Sequence, residues 1–162
     1  MPQRTLAIIK PDAVSRNATG SILSHLEGAG FEVRALEMLV LSRAEAERFY
    51  AVHSERAFFG SLVAFMTSGP CVPMVLERED AVASLRKAIG ATDPAEAEAG
   101  TVRALFAESK ERNAIHASDS AENAAREIAF FFPERDLTVW SDAAATRESR
   151  PRATGSESPG SS

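Results

Sequence analysis

The chain has 162 residues, with 18 basic and 23 acidic side chains that give a net charge of -5 at pH 7. This length suits one domain with a single core, and the acidic balance argues against nonspecific binding to nucleic acid or to an anionic membrane. Cys71 is the only cysteine, which excludes an intrachain disulfide and a thiolate metal cluster and favours a reducing compartment. The apolar run near the amino terminus is too short for a signal peptide or a membrane span, so we expect a cytoplasmic protein.

The first forty residues predict a strand, a helix and a second strand. Residues 5–9 are a continuous apolar run that Pro11 ends, which is typical of a buried strand. Apolar residues then recur at helical spacing over 22–29, with glycines near the end that favour a stop. Residues 31–40 alternate in polarity with a change of phase at Leu36, which predicts a long strand with a bulge.

Two helices are predicted next along the chain. Ser42 and Glu45 have the spacing of a capping box, which indicates the start of a helix that ends near His53. A second apolar stripe at helical spacing runs over 58–66 and is closed by the sequence Thr-Ser-Gly-Pro.

A third strand, a further helix and a long loop follow. Residues 71–76 indicate a strand, and Pro73 favours an edge position in the sheet because proline has no N–H to donate. Asp80 is positioned to cap a helix that ends at Gly90. About twenty residues after Gly90 show no periodicity, and a loop of that length in a compact domain is usually functional.

The last predicted elements are the end of a strand and an amphipathic helix. Residues 114–115 favour the end of a strand, and Asp119 followed by Glu122 is a variant of the capping box. His116 is therefore expected at a strand-to-helix corner. The helix that follows ends before Pro133.

The order of these elements predicts the fold class. Strands and helices follow one another as in an α+β, ferredoxin-like split βαβ fold, in which helices cover a face of a four-stranded antiparallel sheet. Periodicity alone leaves other α+β layouts open. We assign residues 1–140 to this domain, whereas residues 141–162 are rich in Ser, Gly, Pro, Arg and Glu, which predicts a disordered tail.

His116 is the strongest candidate for chemistry. Backbone donors and the positive end of a helix dipole gather where a strand meets a helix, and they would hold an anion beside the imidazole. His25 and His53 have no comparable polar neighbours in sequence, so we interpret them as ordinary structural residues. Glu127 in the next helix is most simply solvated, but its position also permits a hydrogen bond to one ring nitrogen of His116, which would leave the other free to attack phosphorus.

Several other residues have both a structural and a functional interpretation. Lys10 at a strand exit and Arg86 in a helix are ordinarily solvated, whereas Arg103 lies between apolar residues in the long loop. Together these three cations would give an acidic protein a local site for a triphosphate, since arginine presents planar donors to phosphate oxygens. Tyr50 and Phe58 fall on apolar stripes and are most simply core aromatics. No Walker loop, H-E-x-x-H motif or complete dinucleotide glycine fingerprint is present.

The stretch around the histidine also resembles a known signature. Asn113-Ala114-Ile115-His116-Ala117-Ser118-Asp119 is similar to the active-site sequence of nucleoside diphosphate kinases, which usually have glycine after the histidine. The likeness covers nearly all of the chain from Arg4 to about Phe132. Further matching segments are Ile9-Lys10-Pro11-Asp12, Phe58-Phe59, Thr67-Ser68-Gly69-Pro70, Gly90-Ala91-Thr92-Asp93-Pro94 and Gly100-Thr101-Val102-Arg103.

This resemblance implies an activity and roles for the matching residues. The family transfers the terminal phosphate of a nucleoside triphosphate to a nucleoside diphosphate by a ping-pong mechanism, here through a phosphohistidine at His116. The residues matching Glu127 and Ser118 orient the histidine. The other matching residues bind nucleotide: Phe58 stacks on the base, Lys10 and Asn113 contact the sugar hydroxyls, Arg86, Thr92 and Arg103 hold the phosphates, and Tyr50 helps to position groups around them.

The resemblance also implies a cofactor and partners. Mg²⁺ is expected to be held mainly by the nucleotide phosphates, with no metal site built by the protein itself. The partners are nucleoside di- and triphosphates, and family members assemble as dimer-based tetramers or hexamers. No nucleic acid or membrane partner is expected.

Departures from the family pattern leave alternatives open. Ala117 replaces glycine beside the histidine, which should be tolerated unless that backbone needs a positive φ. Lys110 stands where the family often places an apolar residue against the base. The two alternative functions are a phosphohistidine protein whose partner is another protein, and a noncatalytic ferredoxin-like module that binds a small molecule or copies of itself.

Overall fold

A computed structural model describes residues 2–137, so the predicted tail over 141–162 lies outside the described residues. Four strands form one antiparallel sheet: β1 Pro2–Ile9, β2 Glu32–Leu36, β3 Val72–Glu79 and β4 Ile115–Ala117. Their order across the sheet is β2-β3-β1-β4. The α+β ferredoxin-like fold expected from the sequence is confirmed.

Helices fill the connections between the strands, and one more follows β4. They are α1 Pro11–Ser15, α2 Thr19–Gly28, α3 Arg43–Phe49, α4 Phe59–Met66, α5 Ala81–Ile89, α6 Val102–Phe106 and α7 Ala121–Phe131. A 3₁₀ turn over Ala51–His53 follows α3. The sequence did not predict α1 or α6, because five residues are too few for a helical period to appear. No helix in the described part of the chain has the length and apolar content to span a bilayer.

The sheet is buried on both faces. Ala7 and Ile9 of β1 pack with α2 and α5, whereas Leu6 and Ile8 point the other way and pack with α3, α4 and α7. All four side chains have no exposed surface. The sequence predicted helices on one face of the sheet, whereas helices cover both faces. Coverage of both faces explains the continuous apolar run of β1, because such a strand has no polar side.

The second strand is shorter than predicted. β2 ends at Leu36, and its register on β3 shifts between Val33 and Ala35, so the irregularity lies before the predicted position. Beyond β2 the regular ladder stops, although an isolated bridge still joins Leu39 to Cys71. Alternating polarity reports which way side chains face, and the chain keeps that alternation after regular pairing has stopped.

The prediction of an edge position for Pro73 is wrong, because β3 lies between β2 and β1. Pro73 pairs with Ile8, and its carbonyl accepts a hydrogen bond from the Glu37 backbone N–H at 3.2 Å. The nitrogen and carbonyl of one strand residue point to the same neighbour. The missing N–H of Pro73 therefore faces the chain beyond Leu36, where the regular ladder has already ended.

Two of the three predicted helix caps form differently. The Ser42–Glu45 capping box is present as expected. Asp80 occupies the N-cap of α5 with a φ of 51°, but its side chain makes no capping hydrogen bond. Instead the Gln3 side chain accepts from the Val82 N–H at 3.0 Å. A side chain from a distant strand has replaced the local cap that the sequence pattern predicts.

The start of α7 is also displaced by one residue. Ser120, and not Asp119, is the N-cap, and its side chain accepts a hydrogen bond from the Asn123 N–H at 3.1 Å. Asp119 instead accepts from the Asn123 side chain at 2.6 Å. His116 accordingly lies in the middle of β4, paired with Ile8, rather than at the corner itself.

Gly90 gives a test of this architecture. It ends α5 with a φ of 86°, and a Cβ there would lie 2.5 Å from the Thr101 Oγ1 that caps α6. We expect Gly90→Ala to lower the free energy of unfolding by about 2 to 4 kcal/mol, from backbone strain and overpacking together. Urea unfolding measures this. Gly28→Ala is the matched control, since open space surrounds Gly28, and equal losses in both variants would contradict the expectation.

Candidate active site

A cleft of about 760 Å³ collects nearly all of the predicted site residues beside β4. Its walls come from the α3–α4 region, the start of α1, the carboxyl end of α5 and the segment between α5 and β4. The predicted residues that line it are Lys10, Tyr50, Phe58, Arg86, Thr92, Arg103, Asn113, His116 and Glu127. Ser118 is buried behind this wall and does not line the cleft.

The imidazole of His116 is held by a buried carboxylate. Its Nε2 lies 2.5 Å from Oε1 of Glu127, which α7 brings against β4. The Ser118 hydroxyl donates to the same carboxylate oxygen at 3.2 Å, so this serine secures Glu127 rather than standing between the two residues. A carboxylate accepts hydrogen bonds, which assigns the ring proton to Nε2 and leaves Nδ1 with a free lone pair.

Aromatic rings pack around the histidine. The Phe49 ring lies edge-on to His116 at 5.5 Å, and the Tyr50 ring lies edge-on at 6.2 Å. The Tyr50 hydroxyl is buried, and no partner for it exists among residues 2–137. Burial raises the pKa of Tyr50, so its hydroxyl stays protonated. It therefore remains a hydrogen-bond donor at the wall of the cleft.

Lys10 is a buried cation at the end of β1. Its ammonium donates to the Asn113 side-chain oxygen at 2.8 Å, although 103 positions separate the two residues in the chain. Burial, and then the nearby Arg103 guanidinium, lower the pKa of Lys10 to about 8, while Asp12 opposes this shift. Lysine is held here at an energetic cost, as expected of a group that awaits an anion.

Arg103 is the second buried cation. α6 carries it, and its two terminal nitrogens donate to the carbonyls of Gly90 at 3.1 Å and Ile115 at 2.8 Å. Its Nε is buried without a partner in the described part of the chain. Burial, and then Arg86, lower the pKa of Arg103 to about 10. Arg86 and Thr92 are exposed residues of the same cleft. Arg103 lies close enough to both Lys10 and Arg86 for the charges to interact, so the three cations lie together.

Asp12 is a structural residue of the site to which the sequence analysis gave no role. Its carboxylate accepts from the Ala114 N–H at 3.1 Å, and the Ala114 carbonyl accepts from the Lys10 N–H at 2.8 Å. Ala114 has a φ of 70°, and Ile115 N–H donates to the Asn113 carbonyl at 2.8 Å, which closes a γ-turn. This turn is rare and strained. The segment Ile9-Lys10-Pro11-Asp12, which matches the family, is the sequence signal for Asp12.

The backbone at Ala117 does not need a positive φ, so alanine is tolerated there in place of glycine. It pairs with Ala7 in β4, and it is not among the positive-φ residues of the described chain. A glycine is therefore not required at this position for backbone reasons.

His53 lines the cleft, although the sequence predicts an ordinary structural residue there. Its ring stacks on Tyr50 with a centroid distance of 6.5 Å and lies 5.5 Å from the Phe58 ring. Phe58 is 49% exposed, so it is a cleft aromatic rather than the core residue of its simplest interpretation. The spacing of three residues from Tyr50 was the only available sign of His53, since it places both rings on one side of a helical turn.

The fold and the site together define a small α+β enzyme domain in which a carboxylate-oriented histidine faces a cationic cleft. The sequence model of the nucleoside diphosphate kinase family matches residues 3–137. The chain belongs to the nucleoside diphosphate kinase family.

Two named relatives and one solved structure support the same family. The chain is 59% identical to a nucleoside diphosphate kinase of Sulfurimonas denitrificans over 136 residues, covering 84% of this chain and 99% of that protein. It is 56% identical to one of Desulfatibacillum aliphaticivorans over 135 residues, covering 83% and 98%. The crystal structure of the Aquifex aeolicus nucleoside diphosphate kinase superimposes with a TM-score of 0.82 at 47% identity, covering 84% of this chain and 99% of that one. The predicted family and enzyme class are confirmed.

The lowered pKa of Lys10 gives a pH-dependent prediction. Between about pH 8 and 10.5 the unfolded chain keeps a proton on Lys10 that the folded chain has released, so this group's contribution to stability rises with pH. We expect the free energy of unfolding of the wild type, minus that of Lys10→Met, to be larger at pH 9.5 than at pH 7. Urea unfolding at both pH values measures the difference. A constant or falling difference would show that Lys10 is not buried as a cation.

Proposed function

We propose that this enzyme transfers the terminal phosphoryl group of a nucleoside triphosphate to a nucleoside diphosphate in two half-reactions, with His116 carrying the phosphate between them. The observation that supports this most directly is the hydrogen bond from Nε2 of His116 to the buried Glu127. It leaves Nδ1 as the nucleophilic nitrogen of a ring that lines the cleft.

In the first half-reaction the Nδ1 lone pair attacks the terminal phosphorus. The bond from that phosphorus to its bridging oxygen breaks, and the nucleoside diphosphate departs with the electron pair. The phosphorylated ring becomes cationic, and the Glu127 carboxylate at Nε2 stabilises that charge. A second nucleoside diphosphate enters the same cleft and takes the phosphoryl group by the reverse displacement, which gives ping-pong kinetics.

The cations act on the transferring phosphoryl group. Lys10, Arg86 and Arg103 are positioned before the reaction begins, so they stabilise developing charge without reorganising. Thr92 adds a neutral donor for the phosphates, and Tyr50 helps to position the groups around His116. Lys10 and Asn113, already hydrogen-bonded to each other, provide a pair of polar groups for the sugar hydroxyls.

The base lies at the apolar end of the cleft and stacks on Phe58. Stacking accepts any base, because each base presents a π face. This mode of binding suits an enzyme that must process several nucleotides.

Mg²⁺ is the proposed cofactor, held mainly by nucleotide phosphate oxygens. Residues 2–137 contain no group of three metal-ligating side chains that would hold the ion without nucleotide. The Asp119 carboxylate lines the cleft, and the hydrogen bond from Asn123, followed by weaker contributions including nearby Arg86, holds its pKa below the usual range. An ionised oxygen ligand of this kind suits Mg²⁺, which neutralises phosphate charge when bound.

We assign this activity to residues 1–140 of a cytoplasmic protein and propose that the chain assembles as a homo-oligomer. β2 is an edge strand, and its last residue, Leu36, together with Met38 and Val40 in the segment that follows, is exposed by 49%, 58% and 60% respectively. These three side chains define an edge stripe. A second copy of the chain fits it, because an antiparallel strand edge can pair with itself about a two-fold axis. Tetramers or hexamers would be built from this dimer.

The phosphohistidine is tested with ATP labelled at the terminal phosphate. We expect the wild type to take up label that acid releases and alkali preserves, and to pass it to an added nucleoside diphosphate. His116→Ala should take up none and should lose diphosphate-dependent turnover. Label that survives acid would contradict a phosphohistidine.

Glu127→Gln serves as a graded variant in the same assay. It keeps the size of the side chain but weakens the stabilisation of the cationic ring, so the rate of labelling should fall about 10- to 100-fold. Transfer between purified nucleotides excludes a phosphocarrier that acts only on a protein partner. Full activity in His116→Ala would instead favour a noncatalytic role for this histidine.

Assembly is tested by light scattering on the full chain. We expect an even multiple of the monomer mass, and we expect Met38→Glu combined with Val40→Glu to reduce it, because charge on the edge stripe opposes its burial. Val52→Glu is the control, since Val52 is 71% exposed away from the stripe. A monomeric wild type would overturn the proposal. The same measurement without residues 141–162 reveals any part played by the tail.

A further inference from the structure

Lys110 is a cation of the cleft that the proposed reaction does not use. It lines the cleft, and its ammonium makes no hydrogen bond or ion pair with any residue in 2–137. It therefore differs from Lys10, which Asn113 holds, and from Arg103, which two carbonyls hold.

Lys110 stands at the tip of a closed turn. The backbone N–H groups of Glu108 and Ser109 donate to the Arg112 carbonyl at 2.9 and 3.3 Å, and the Arg112 N–H donates to the Ser109 hydroxyl at 3.1 Å. The Glu108 carboxylate pairs with Arg112 at 3.0 Å and with Arg16 at 3.2 Å. These contacts fix the backbone beneath Lys110, so its side chain projects from a defined position.

The turn lines the same cleft as an apolar wall and touches that wall at one point. That wall consists of Phe58, Leu62 and Phe65, and the Arg112 guanidinium lies 5.9 Å from the centre of the Phe65 ring. His116 and the cations Lys10, Arg86 and Arg103 line the same cleft. A nucleotide whose phosphates meet these cations and whose base meets the apolar wall would bring its base near the turn.

We propose that Lys110 is a specificity-determining residue that favours bases with hydrogen-bond acceptors at their edge, guanine above all. The inference rests on the proposed function, because it needs a base in the cleft. An ammonium only donates, and guanine presents two neighbouring acceptors, N7 and O6, along one edge, whereas the corresponding edge of cytosine presents the N4 amino donor and a C–H group. The alkyl stem of Lys110 packs on the base face, so other nucleotides still bind.

Glu111 lines the cleft at the same turn and presents acceptors. Its carboxylate acts in the opposite direction, on amino groups of bases. The contribution of Lys110 is therefore measured by the change in base preference when Lys110 is replaced. The base preference of the wild type alone does not measure it, because Glu111 also affects that preference.

The test compares GDP and CDP as acceptors with ATP as donor. Lys110→Met keeps the stem and removes the donor, so the ratio of kcat/KM for GDP to that for CDP should fall about three- to tenfold, with CDP itself little changed. Lys110→Arg keeps donors and should retain the ratio. Lys87→Met, on the exposed face of α5 and outside the lining of this cleft, controls for loss of one positive charge near the phosphates.

Other outcomes overturn the inference in distinguishable ways. An equal fall for GDP and CDP would mean that Lys110 only attracts phosphate charge, and an unchanged ratio would mean that it does not reach the base. In both cases wild-type transfer would leave the proposed function intact. No transfer by the wild type to any diphosphate would overturn the proposed function and this inference together.

Discussion

The arrangement of this site depends on one hydrogen bond, between Nε2 of His116 and the buried carboxylate of Glu127. It determines which ring nitrogen is free, and it exists only because α7 packs across β1, where Ile128 joins Leu6 and Ile8 in one apolar layer. Hydrophobic burial therefore sets the position of Glu127 to within hydrogen-bonding distance. Packing that serves stability also delivers the geometry that the chemistry needs.

The site holds energetically unfavourable features that the surrounding fold offsets. Lys10 and Arg103 are buried cations with lowered pKa values, and the γ-turn at Ala114 places a non-glycine residue at positive φ. Without a bound anion these features destabilise the protein, since desolvated charge and backbone strain both cost free energy. They become favourable when an anion enters, which is why unusual burial and strain accumulate at functional sites.

Sequence patterns succeeded where their physical cause is local and failed where it is not. The Ser42 capping box and the helix end at Gly90 formed as predicted, because both depend on residues within one turn of the helix. The predicted edge position of Pro73 is wrong because the neighbouring strand ends where the proline lacks its N–H. The predicted side-chain cap by Asp80 is wrong because a side chain from β1 caps α5 in its place. β2 ended early because alternation of side chains persists without pairing.

The sequence by itself determined the family, the order of most elements and the chemical groups available: the imidazole, the carboxylate and the cations. Only the tertiary structure decided that Lys10 meets Asn113, that three cations lie together in one cleft, that Tyr50 is a buried donor and that His53 belongs to the site. The physical reason is that composition and spacing describe neighbours along the chain. Contact between residues about a hundred positions apart depends on how helices pack on both faces of the sheet.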